Sequence, residues 1–118
     1  MVAIEQLAAA ILEKDGLVVR SLAQDFLNAQ PVLAEIPQPE VEDARIVAAS
    51  AALLELFAAR LGQKAPVWTK GIGPLAEPIY LLQSAAHMKR LRTLCRQESP
   101  EPLRKRGFYA PPNYLAFA

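Results

Sequence analysis

The stretch EVEDARIVAASAALLELFAARLGQKA, residues 40–65, runs from Pro39 to Pro66 without a proline, and its reading decides the fold. An interior proline removes a helical hydrogen bond and clashes with the preceding turn, so long helices belong in such windows. Ile46, Ser50, Leu53 and Phe57 fall on one stripe at helical spacing, with Val47, Leu54, Ala58 and Leu61 on a second stripe beside it. Ala48, Ala49, Ala51, Ala52 and Ala59 fill the gaps. So wide an apolar face predicts a central helix packed on several sides. Glu40, Glu42 and Asp43 are expected in its first turn, where carboxylates complement the positive end of the helix dipole. Gly62 is the expected stop.

Two further proline-free windows flank it, 1–30 and 79–99. Gly16 divides the first into two short helices. Ile4, Leu7, Ala8, Ile11 and Leu12 line one, and Val19, Leu22, Ala23 and Phe26 the other, with Asp15-Gly16 as the turn of a helical hairpin. The second window opens behind Pro78, a residue favoured in a first helical turn. There Leu81, Ser84, Met88, Leu91 and Cys95 share one side, while Lys89, Arg92 and Arg96 cluster on the opposite one. Composition agrees: the 118 residues include 21 Ala and 17 Leu, against 15 Val, Ile and Thr together. The expectation is one all-α domain spanning 1–118, a bundle of four main helices. An ordered loop fills 63–77, and an irregular tail rich in proline and aromatic residues fills 100–118.

Composition also excludes function classes. Thirteen Lys and Arg against twelve Asp and Glu leave a net charge of +1, which by itself predicts no polyanion as partner. One Cys and one His rule out an internal disulfide and a four-ligand zinc site. The longest uncharged stretch, 107–118, has 12 residues and two prolines, short of the roughly 20 apolar residues that span a bilayer. Glu5 comes early and no base precedes Lys14, so no secretory signal is expected and the unpaired thiol fits a reducing cytoplasm. No membrane partner and no cofactor are expected; a homo-oligomer stays open.

No enzyme is expected either. His87 and Cys95 would lie about 12 Å apart along one helix, against the roughly 3 Å that proton transfer needs. Lys70-Gly71-Ile72-Gly73-Pro74 lacks the strand and the further glycines of a phosphate loop. Trp68 reads as a loop anchor in the core or as an anchor for a partner. The charge layout is more telling than the total: residues 1–61 carry nine acids and four bases, while 79–106 carry seven bases and two acids. That basic segment is a solvated face, a surface for an acidic protein, or, less favoured, a surface for nucleic acid, since the acidic half repels phosphates.

The segment 76–118 carries Glu77-Pro78-Ile79-Tyr80, then Glu98-Ser99-Pro100, the basic run Arg104-Lys105-Arg106, the pair Phe108-Tyr109 and a terminal Asn113-Tyr114-Leu115. In this it resembles a family of small bacterial proteins with an EP-aromatic start, an ESP motif, an R-x-R run, an aromatic pair and a final [ND]-x-L. Members stand alone or form the C-terminal part of helix-turn-helix regulators, and often accompany a nucleotidyltransferase-like toxin gene. The resemblance implies an antitoxin-like role, with a toxin-like companion protein as partner. The tail has the composition of an interface: Phe108, Tyr109, Tyr114 and Phe117 lie close to Arg104 and Arg106 on a proline-stiffened segment. The expected partner-binding residues are therefore Arg104, Arg106, Phe108, Tyr109, Asn113, Tyr114 and Leu115, with Trp68. The tail folding back over its own helices is the competing expectation. A DNA-associated regulator using the basic face of 89–106 is the alternative function. If the tail is a free interface element, truncation after Pro102 leaves the helices folded.

Overall fold

Two aspartates open the second and third helices of this chain, and their side chains do the same work at each. The structure, a computed structural model, describes residues 2–116, the side chain of Ala86 excepted. Helix α1 spans Ile4–Glu13 and α2 spans Gly16–Asn28, and the Asp15 carboxylate between them accepts from the backbone N–H groups of Leu17 and Val18. Helix α3 spans Ala44–Leu61 behind Asp43, whose carboxylate accepts from the Arg45 N–H at 2.9 Å. Each Asp satisfies amide donors that a helix start leaves unpaired. Glu40 and Glu42 thus precede the helix rather than occupying its first turn. At its far end Gly62 adopts φ 68°, the left-handed stop expected of it.

Ten residues of α3, from Ala48 to Ala58, are buried. Helix α1 packs along it with Leu7, Ala8 and Ile11, and α2 adds Val19, Ala23 and Phe26, the last 5.8 Å from the Phe57 ring. The stripes read on α1, α2 and α3 supply most of the core, except that Leu61 is half exposed and Val47 only partly buried; on the stripe read over 81–95, Leu81 and Cys95 are buried while Ser84 and Met88 are exposed.

The third window departs from its expected single helix. Strand β1 is Ile79–Tyr80, a 3-10 turn covers Gln83–Ala86, and only then does α4 run, Lys89–Glu98. A four-residue helix α5, Glu101–Arg104, leads to strand β2, Phe108–Tyr109, which pairs parallel with β1. The helical reading of 79–88 failed because the backbone there has better partners: the Ile79 N–H donates to Gly107 O and the Leu81 N–H to Tyr109 O, at 2.8 and 2.9 Å. Pairing carries Leu81 into the core at 2% exposure. The architecture is mostly helical, with four main helices as expected and one small parallel strand pair.

The tail expected to be irregular contains two short regular pieces, α5 and β2, and otherwise runs in turns. Leu103, Phe108 and Ala110 are fully buried, and Tyr114 nearly so. Gly107, at φ 88°, makes the turn that brings β2 alongside β1, a backbone region that side chains disfavour.

Candidate functional site

Arg106 is the largest fully buried side chain, 1% exposed. An arginine comes so deep only with its charge matched. Its Nη1 and Nη2 donate to the two carboxylate oxygens of Glu55, on α3, at 2.8 and 2.9 Å. The same nitrogens reach the carbonyls of Pro102 and Thr69, at 3.1 and 2.8 Å, while Nε finds no partner among the described residues. Burial pushes the Glu55 carboxyl up, but the hydrogen bonds from Arg106 and Lys105 outweigh it and hold the group at about 2. Lys105 Nζ lies 2.7 Å from Glu55. This pair latches the tail to the central helix.

Ser99 makes a second fastening. It is buried, accepts from the Ala110 N–H at 2.9 Å, and its hydroxyl faces the carbonyls of Ala110 and Cys95. Cys95 is buried beside it, and burial pushes its thiol up, so the thiolate is disfavoured. At the chain's far end Arg60 Nη1 donates to Tyr114 O at 2.6 Å. Tyr109 packs on Tyr80 across the strand pair, ring centres 5.3 Å apart.

The expected partner-binding residues thereby divide. Arg106 and Phe108 are interior, and Tyr114 is nearly so, held by α3 and the core; they face this domain's own helices. Trp68 is half buried, and its Nε1–H donates to Ile36 O at 2.8 Å, so its polar edge serves the loop. Arg104 is exposed, though its guanidinium donates to Gln97 O. Tyr109 and Leu115 are half buried and Asn113 is exposed, so these remain accessible from outside. Phe117 lies outside the described residues. His87 is exposed.

The outward surface near the start of α2 is concave. A groove of about 340 Å³ runs between the start of α2 and residues 81–84, with Tyr114 and Leu115 on its wall. Leu17, 84% exposed, follows directly on Gly16 of that groove. Lys14 lines this groove and also a larger cleft of about 580 Å³, where it is joined by Arg45, Arg92 and Arg96. Sequence reasoning missed this cleft, because it assembles cations from α4 with single residues at the end of α1 and the start of α3. No group of three or more His, Cys, Asp or Glu among the described residues could hold a metal ion, and no helix is long and apolar enough to cross a membrane. Comparison of the chain with protein-family models, with curated proteins and with solved structures found no match.

Proposed function

We propose that this protein is a non-enzymatic, antitoxin-like partner that binds and restrains a companion protein, the resemblance of 76–118 pointing to a nucleotidyltransferase-like toxin. One observation carries the choice of surface. Of the three non-glycine residues with left-handed backbone among the described residues, Lys14 (φ 63°), Gln30 (φ 50°) and Leu115 (φ 55°), two line the groove between α2 and 81–84. At Lys14 this conformation closes the end of α1, its N–H facing Ala10 O and Ile11 O; Leu115 ends no helix, and strain of that kind concentrates where function needs a particular side chain. Leu115 belongs to the terminal [ND]-x-L of the resemblance, and the exposed Leu17 comes next in the chain after Gly16 of the groove. The tail in this reading does two jobs: its inner residues clasp the domain, and its outer residues shape the groove.

The regulator alternative rests on α4, where Lys89, Arg90, Arg92 and Arg96 are all exposed. It has less to work with than the sequence offered, since Glu55 holds both Lys105 and Arg106. Co-expression with the tagged product of the adjacent gene decides for or against the partner reading. The companion should co-purify, and Leu17→Asp with Leu115→Asp should abolish co-purification while circular dichroism still shows a folded helical chain. A companion retained by that variant would overturn the choice of groove. Tight binding of the isolated chain to its own upstream DNA in a mobility shift would favour the regulator.

A further inference from the structure

We propose that the cationic cleft is a binding site for a phosphorylated small molecule of nucleotide size. It is built from parts distant in sequence: Lys14 caps the end of α1, Arg45 stands in the first turn of α3, Tyr80 comes from β1, and Arg92 and Arg96 from α4. Its volume of about 580 Å³ lies in the roughly 300–1,000 Å³ range of small-molecule sites. One wall is apolar, with Leu12, Ile79 and Leu82, and no acidic residue lines it.

Lys14 and Arg96 bring like charge to a concavity that Arg45 and Arg92 also line, and like charges repel unless an anion joins them. Among the described residues Lys14 and Arg96 form no ion pair, and Asp43 neutralises only Arg45, through its Nε and Nη2. The Arg92 Nε donates to Ala85 O, which fixes the direction of that guanidinium. Guanidinium forks match phosphate oxygens two at a time, and an ammonium adds a point charge. Tyr80 is only partly buried after packing on Tyr109 and offers aromatic surface to a base.

A long nucleic acid fits less well. Glu13 and Asp15 flank Lys14 in the chain, and Glu42 and Asp43 precede Arg45. A polymer leaving the cleft at either place meets carboxylates, whereas a compact phosphate chain stays among the cations. This inference stands apart from the companion-protein reading and can fail without it.

Calorimetric titration of the full chain with ATP, adenosine, inorganic phosphate and a single-stranded oligonucleotide tests it. ATP should bind at sub-millimolar concentration and more weakly as salt rises, with phosphate weaker than ATP and adenosine silent. Lys14→Glu with Arg96→Glu should weaken ATP binding by roughly tenfold or more at an unchanged melting temperature, and Arg45→Ala should weaken it less. Should the double charge reversal unfold the chain, Lys14→Gln with Arg96→Gln serves in its place with the same expected loss. No ATP binding at millimolar concentration, undiminished binding to a folded variant, or binding of the oligonucleotide alone overturns the proposal.

Discussion

The ion pair of Arg106 and Glu55 shows how one residue can change meaning between sequence and structure. In a basic run an arginine is read as solvated, and the only signal against that is a carboxylate on α3, 51 residues away in the chain. Nothing local in Arg104-Lys105-Arg106 distinguishes the exposed first residue from the buried third. Breaking such a pair from one side leaves a buried charge, so Glu55→Gln should cost about 3–5 kcal/mol of stability in urea unfolding. Glu55→Leu with Arg106→Met should recover most of that loss, because neither charge is then stranded. The pH dependence has a definite sign. The folded carboxyl sits at about 2, below its ordinary 4.5, so the unfolded chain takes up the proton first. The contribution of the pair is whole above pH 4.5 and drains away as pH falls toward 2. Glu55→Gln should flatten the stability profile across that window, and a wild-type profile already flat there would contradict the latch.

At the scale of elements, α1, α2 and α3 were legible because they lie in proline-free windows with clean stripes; Gly62 ends α3 as expected, whereas the break expected at Asp15-Gly16 falls at Lys14 and Asp15, and Gly16 is already the first residue of α2. The 79–99 window was half legible. Leu91 and Cys95 do lie on α4, but 79–88 leaves the helix for strand pairing and a 3-10 turn. Two-residue strands have no period to detect, and their stability comes from a partner about 29 residues on, as the Ile79–Phe108 register shows. The motifs behind the family resemblance acquire structural work here: Ser99 holds Ala110, Gly107 turns the chain, Phe108 fills the core and Tyr109 packs on Tyr80. Truncation after Pro102 should therefore unfold the protein instead of sparing its helices, reversing the expectation for a free tail. It removes Leu103, Arg106, Phe108, Ala110 and Tyr114 from the interior. Phe108→Ala alone should cost about 3–5 kcal/mol. Circular dichroism on both variants checks this; a truncated chain with native helicity and melting temperature would put the tail outside the core.

Across the whole molecule, the tail belongs to the same packed body as the helices. The radius of gyration is 13.3 Å, against about 13.5 Å expected for a compact chain of this length. A domain of this size has a total stability of roughly 6–18 kcal/mol, so the contacts of the tail are a large share of what holds it folded. The candidate binding surfaces follow from that closure: the groove and the cationic cleft both use Leu82 and Lys14, and both have walls that exist only once β1 is held by β2. Their residues were visible in the sequence, but their convergence was not, because it depends on which end of α1 meets which end of α4. Native-state hydrogen exchange at the amides of Ile79 and Leu81 tests the clasp most directly, since these N–H groups donate to Gly107 O and Tyr109 O. Both should exchange as slowly as the core amides of α3, through global unfolding alone. Fast exchange at these two amides while α3 stays protected would mean that the tail leaves the intact helices, and would contradict the account.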